Sequence, residues 1–309
     1  MFRASYLLLV AAFATPSFAL QRAFVATYGN DANAASGCLI GNPCRGFQAA
    51  HNVVDPGGEV IALDTGGFAA LIITKNVSIV ASPGAYAGIS VPTGYGVTIA
   101  TANLNVVLRG LTINGVGGSS GIQMTGAGSR VSVENCVVSR FNNAGIEING
   151  ALYVRILNTM VRDNVSDAIQ VRNGAWLEIA GSHLLGSLES GGLTATNTLT
   201  GVKTFVSIVD SVVSGNPVGV FVSASNGQTR LTATRVDSSG NSDAGFIAST
   251  NGAAGIATLT VGYSTASGNG RGLWNFGGPG TATLESLGNN IVRHNIFDTE
   301  GTITTIAGT

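Results

Sequence analysis

The sequence predicts an all-β fold, a right-handed parallel β-helix solenoid with a short capping helix at its N-terminal end. Three observations carry this. A unit recurs between Gly121 and Gly192, opening as Gly-Ile-Gln-Met, Gly-Ile-Glu-Ile and Ala-Ile-Gln-Val, each time followed by a second alternating strand. Its anchors Ile122, Ile146, Ile169 and Leu193 lie 24, 23 and 24 residues apart, a period that marks a solenoid. Inside each period apolar residues alternate over a few positions and no 3.6-residue pattern appears, so the unit is built of strands. Composition agrees, because 44 glycines in 309 residues suit a chain that turns every few positions, and a charged fraction of only 10% excludes a disordered chain.

Residues 1–19 read as a secretory signal peptide. Arg3 supplies the positive start, Leu7 to Ala14 the apolar core and Ser17-Phe18-Ala19 a small-x-small cleavage site. The apolar run is too short to span a bilayer, so the mature chain is expected to be secreted or periplasmic, without membrane insertion.

Residues 20–57 form the entrance to the solenoid. Arg22 to Tyr28 reads as a first strand, and Gly29-Asn30-Asp31 turns the chain into a cysteine loop. Cys38 and Cys44 flank a short Gly-, Asn- and Pro-containing segment and are expected to form a disulfide, adding about 2–3 kcal/mol. Cys136 is left as a small buried thiol. Pro43 opens a helical stretch with Phe47, Ala50, His51 and Val54 on one face, ended by Asp55-Pro56-Gly57-Gly58. That helix can cover the bare end and unpaired edges of the first coil.

Residues 58–309 carry strands alone. Val60 to Leu63, Leu71 to Thr74 and Val77 to Val80 begin the series, and Val106 to Leu108 and Leu111 to Ile113 continue it. Beyond Leu193 the anchors Val220, Phe246 and Leu273 follow at 27, 26 and 27 residues, so later coils have longer turns. Stacking these anchors gives one inward ladder; Val133, Ile156, Ile179 and Ile208 give a second, with strands about 4.8 Å apart. Asn135 and Asn158 share one repeat position, and Asn164, Asn216, Asn241, Asn269 and Asn295 recur near another. Asparagine tolerates the left-handed conformation and can hydrogen-bond from coil to coil, so these are expected to be structural. Ile303 to Ile306 is expected to be the closing strand.

The order helix, Gly-Gly-Glu-Val-Ile-Ala-Leu, Gly-Gly-Phe, Ile-Ile-Thr-Lys-Asn-Val-Ser-Ile-Val resembles the opening of the pectin-lyase-like β-helix proteins. That superfamily includes pectate lyases, pectin methylesterases and polygalacturonases, so the resemblance implies a polysaccharide or glycan as partner. Its catalytic motifs do not carry over. Where polygalacturonases have Asn-Thr-Asp-Gly-Ile-Asp, this chain has Asn142-Asn143-Ala144-Gly145-Ile146-Glu147, with alanine at the acid's place. Val165-Ser166-Asp167 keeps one of the two acids of the Gly-Asp-Asp segment, and no Gly-His-Gly, Arg-Ile-Lys or Trp-Ile-Asp-His occurs.

Outward positions of the Gly-Ile strands give Gln123 and Thr125, Glu147 and Asn149, then Gln170 and Arg172, a polar strip on one flank. Glu147 and Asp167 lie on adjacent coils, where two carboxyls about 5–9.5 Å apart would suit glycoside hydrolysis. Arg172 could then stabilise developing negative charge. Glu147, Asp167 and Arg172 are therefore the catalytic candidates, with Gln123, Asn149, Arg162 and Gln170 as substrate-binding candidates. Arg155 and Glu178 are expected to pair across coils, and His183 to pack beside Leu184 and Leu185. Trp274 with Phe276 is expected to seal the C-terminal end. Nothing in the sequence calls for a metal or cofactor, and scattered charges with a net of −1 exclude a nucleic-acid partner. Three readings stand: a glycan binder, a polysaccharide lyase or hydrolase, and a structural or adhesive rod.

Overall fold

The structure, a computed structural model, describes residues 19–307, so the predicted signal peptide lies outside the described residues except for Ala19. The chain winds into a right-handed parallel β-helix, and every recorded strand pairing is parallel. A typical coil contributes three strands. Arg130–Glu134 and Val137–Ser139 belong to a 20-stranded sheet, and Ile146–Asn149 to a 10-stranded sheet that closes the third side. No helix lies between residues 121 and 192, and among the described residues no helix is long and apolar enough to cross a membrane.

Register follows the anchor spacing. Ile122 pairs with Ile146, Ile146 with Ile169, Ile169 with Leu193, and the column runs on through Val220, Phe246 and Leu273. All seven side chains are buried. The second ladder, Val133, Ile156, Ile179 and Ile208, is paired in the same way. Where later coils need more residues, the first two strands of a coil fuse into one long element, as in Lys203–Ser214.

The corners between strands are made by left-handed residues. Gly110, Asn135, Asn158, Gly181, Asp210, Arg235 and Tyr263 form one such column, with φ between 48° and 73°. Glycine and asparagine reach that region at little cost, whereas Arg235 and Tyr263 are held there against their steric preference. Just inside this corner runs a hydroxyl ladder. The N–H of Cys136 donates to Thr159 Oγ1, that of Thr159 to Ser182 Oγ and that of Ser182 to Ser211 Oγ, at 3.1–3.3 Å. Cys136 thus ends a polar column, and burial pushes its thiol up to about 11, which keeps it unreactive.

An asparagine ladder lines the next corner. Asn216, Asn241, Asn269 and Asn295 stack so that each backbone N–H donates to the side-chain Oδ1 one coil on, at 2.8–3.1 Å. Their amides also bond to one another at 2.9–3.2 Å. Ser187 interrupts the column between Asn164 and Asn216. Its N–H still donates to Asn216 Oδ1 at 2.9 Å, but Asn164 Nδ2 and Ser187 Oγ are left buried without partners.

The N-terminal end is closed as a rung plus a lid. The first strand is shorter than expected, Arg22–Val25, because the chain turns at Thr27–Tyr28, where Gly29 N–H donates to Ala26 O; it pairs with Gly58–Ala62 as a zeroth coil and bridges to Cys44 at Val25. A 3-10 helix of about two turns at Asp31–Ser36, not foreseen, is capped by the Asn30 side chain. Cys38 and Cys44 are disulfide-bonded with Cα atoms 5.0 Å apart. The helix Phe47–Val53 lays Phe47 4.8 Å from the Phe68 ring. Its final carbonyls are capped by Lys75 Nζ, 3.1 Å from Asn52 O and 2.7 Å from Val54 O. His51 is buried beneath it and accepts the Thr74 N–H at Nε2, 3.3 Å away.

Two predictions follow from these contacts. Ser187→Asn completes the amide ladder and should raise stability by about 1–2 kcal/mol, read as a higher urea midpoint at unchanged slope. Burial, then the charge of Lys75, hold the His51 imidazole below its ordinary pKa, so the native state favours neutral histidine. The unfolded chain takes up the proton first, so His51 should cost stability as pH falls below about 6.5. His51→Gln should flatten that acid limb in urea melts run from neutral to mildly acidic pH.

Candidate functional site

The outer face of the 10-stranded sheet is a set of columns fixed by the same register. Thr98, Gln123, Glu147, Gln170, Thr194, Phe221, Ile247, Trp274 and Glu300 form one outward column. Asn149, Arg172, Thr196, Ser223 and Ser249 form its neighbour. The face therefore changes along the rod, polar over its first coils and aromatic toward its C-terminal end.

Gln123, Glu147, Asn149, Gln170 and Arg172 all lie on this face. Glu147 is half-buried and accepts a long hydrogen bond from Ser120 Oγ at 3.5 Å. Asn149 accepts from Asn173 Nδ2 at 3.0 Å, and Arg172, beside it, forms no ion pair among the described residues. Arg162 is elsewhere. It ends Met160–Arg162 in the 20-stranded sheet, because the turn through residues 163–168 carries the chain to the other sheet, and its guanidinium is paired with Asp163. Arg162 and Arg172, close in the repeat, thus sit on different faces.

Asp167 is the most heavily bonded carboxylate in the molecule. It is 1% exposed, set in the turn before Ile169–Arg172, and lies beneath the strip instead of on it. Its Oδ1 accepts from Ser190 Oγ at 2.7 Å, Gly191 N at 3.1 Å and Thr194 Oγ1 at 2.5 Å. Its Oδ2 accepts from Gln170 Nε2 at 3.0 Å and Ser166 Oγ at 3.4 Å. Gln170 is also the register partner of Glu147, so one amide stands between the two carboxylates.

Downstream of this network the face opens into a recess of about 420 Å³. Phe221, Ile247 and Trp274 make its floor, with Phe276 at one side and Glu189, Ser190 and Asp243 around it. Trp274 and Phe276 meet edge to face with centroids 5.0 Å apart, and Phe276 is 60% exposed. Arg271 lies 3.9 Å over the Trp274 ring and bridges Asp243 at 2.5 Å and Glu300 at 2.6 Å. These aromatics line an open face; they do not seal the end of the rod as the sequence suggested.

A larger groove, about 710 Å³, runs along the 20-stranded sheet between Asn105, Arg130, Tyr153 and Trp176 on one side and Arg155 and Glu178 on the other. There the aromatic rings serve each other. Tyr153 stacks on Trp176 at 6.2 Å, Trp176 packs on Phe205 at 5.0 Å, and Arg130 covers Tyr153 at 5.3 Å. Arg155 and Glu178 pair at 3.0 Å, as expected. Tyr153 and Trp176, 51% and 49% exposed, are stacked within this ladder, whereas Phe276 at the smaller recess is 60% exposed.

Residues 74–258, more than half of the chain, match the family described as right handed beta helix region. The chain belongs to this family. Among solved structures the β-helix is similar to that of pectate lyase Pel9A, with 17% identity and a TM-score of 0.64, covering 93% of this chain and 77% of that one. It is also similar to the enzymatically active domain of tailspike protein 2 from bacteriophage CBA120, with 11% identity and a TM-score of 0.54. That match covers 77% of this chain but only 39% of the tailspike domain. At these identities the likeness is one of fold. No curated protein matches the sequence.

Sequence reasoning for this β-helix protein missed Phe221, Ile247, Asp243 and Arg271. The signal was available in the repeat: continuing the column of Gln123, Glu147 and Gln170 by anchor spacing reaches Phe221, Ile247 and Trp274. His183, expected to pack, is exposed on His183–Leu185 because its position points outward, between the inward Ser182 and Leu184. Asp167→Asn should lower stability by about 1–3 kcal/mol, because an amide N–H₂ replaces an acceptor facing donors. Hydrogen exchange should show the loss first at the amides of residues 190–194.

Proposed function

We propose that this protein is an exported glycan-binding β-helix whose ligand lies along the outer face of the 10-stranded sheet. The observation that carries the reading is the recess in that face, where the exposed Phe276 ring stands against Trp274 above an apolar floor and beside acidic and hydroxyl groups. Sugars present an apolar C–H face and a rim of hydroxyls, and a site of a few aromatic rings with convergent polar groups suits them. The polar columns upstream, with Gln123, Asn149 and Arg172, extend the surface along the rod. The Asp167 network positions this surface by tying Gln170, Ser190 and Thr194 together across coils. A fold shared with a pectate lyase is consistent with a polysaccharide partner, and the Cys38–Cys44 disulfide supports an oxidising compartment outside the cytoplasm.

An enzymatic reading is favoured by one observation, that Gln170, the register partner of Glu147, is hydrogen-bonded to Asp167. In it half-buried Glu147 would act with Asp167, and Arg172 would face developing charge one column away. Retention of the purified protein in gels containing soluble polysaccharides tests the binding proposal. Phe276→Ala should weaken retention about ten-fold with the circular dichroism unchanged. Wild-type protein that is retained by no polysaccharide overturns the proposal. Release of reducing ends or unsaturated products by the wild type, lost in Glu147→Gln, would establish the enzymatic reading instead.

A further inference from the structure

The charges around the recess carry its ligand class, a step that rests on the glycan reading above. We infer that the recess takes a neutral saccharide and disfavours uronate polymers. Arg271 packs on the recess residue Trp274, and two of its nitrogens are paired, Nη1 with Asp243 at 2.5 Å and Nε with Glu300 at 2.6 Å. Its π-facing surface lies against Trp274 at 3.9 Å. A bidentate contact to a ligand carboxylate uses Nη2 together with Nη1 or Nε, and both of those are already paired, so a uronate would have to compete with Asp243 or Glu300.

The balance of charge points the same way. Glu189 is exposed at the recess and forms no ion pair among the described residues. The recess is lined by two carboxylates, Glu189 and Asp243, and by no cation, with Arg271 beside it shared between Asp243 and Glu300, so the recess is net negative. A polymer carrying a carboxylate on every residue meets like charge there. A divalent cation could bridge two such anions, but among the described residues no three His, Cys, Asp or Glu side chains converge to hold one. What the recess offers instead is acceptors: the carboxylates of Glu189 and Asp243 can take hydrogen bonds from sugar hydroxyls while the C–H face rests on Phe276. Ser190 and Thr194 already donate to Asp167, which leaves the acceptors dominant.

Arg172 is the cation on this face that could draw an anion. It lies in the adjoining column, one coil before the recess residue Thr194 and two before Phe221, about 5 and 10 Å along the rod, and does not itself line the recess.

The test is affinity electrophoresis of the intact protein against neutral polymers (β-glucan, xylan, mannan) and uronate polymers (polygalacturonate, alginate), at low and high salt. Retention by at least one neutral polymer is expected, insensitive to salt and lost with Phe276→Ala, with uronate polymers weaker by on the order of ten-fold or more. Combining Asp243→Asn with Glu300→Gln frees the Arg271 fork and should create salt-sensitive retention on uronate polymers. Thermal melting confirms that this variant is folded, and the wild-type comparison decides the matter if it is not. Wild-type retention on uronate polymers equal to or stronger than on neutral ones, lost with Phe276→Ala or Arg172→Gln, overturns the inference while leaving a glycan face. Absence of retention on every polymer overturns the glycan reading itself.

Discussion

In-register stacking of coils is the constraint on which the rest of this molecule depends. A single coil is a thin ring of short strands with apolar residues pointing into its own centre. It can bury them only against the coils above and below, so backbone pairing and core formation are one event. Pairing Ile122 with Ile146 and Ile146 with Ile169 commits every other residue of those coils as well. Each position in the repeat becomes a column running the length of the rod, and each column must be chemically tolerable along all of it. The ends are where the rule fails, which is why the Phe47–Val53 helix, its Lys75 cap and buried His51 close the first coil.

Columns inside the rod show what tolerable means. Corners force backbone donors inward, where water is absent and an unpaired N–H is costly. Asparagine amides and serine or threonine hydroxyls solve this by reaching exactly one coil's spacing, each serving its neighbour's backbone while being served by the next. The break at Ser187 shows the dependence: remove one amide and two polar atoms are orphaned. Left-handed corners make a similar demand on the backbone, strongly enough to hold Arg235 and Tyr263 in a conformation that L-residues avoid.

On the outside the same register builds a surface without dictating its chemistry. Outward columns need only avoid clashing, so their residues vary from coil to coil: Gln123, Glu147 and Gln170, then Thr194, then Phe221, Ile247 and Trp274. Function in this fold is free to occupy that variation. Charge is arranged locally, with Arg271 divided between Asp243 and Glu300, and the buried Asp167 collects hydroxyls and an amide from its own coil and the next. Both arrangements join residues that are more than a full repeat apart in the chain or separated by a turn.

The sequence by itself determined the architecture. The spacing of Ile122, Ile146, Ile169 and Leu193 fixed strand register; the apolar face of Phe47, Ala50 and His51 fixed the lid; the recurring asparagines fixed the corner ladder. These are legible because core positions repeat and hydrophobic periodicity reports burial directly. Only the tertiary structure decided which outward residues face a ligand. Glu147 and Asp167 are both acids on adjacent coils, yet one is half open and the other is buried under five donors. Arg162 looks like a neighbour of Arg172 until the turn between them moves it to the other sheet, and Trp274 with Phe276 reads as an end seal until register places Trp274 beside Ile247 on the open face. The physical reason is common to all three. An outward side chain takes its environment from the residues one coil above and below, some 25 positions away in sequence, and from the path of the turns, neither of which leaves a periodic trace along the chain.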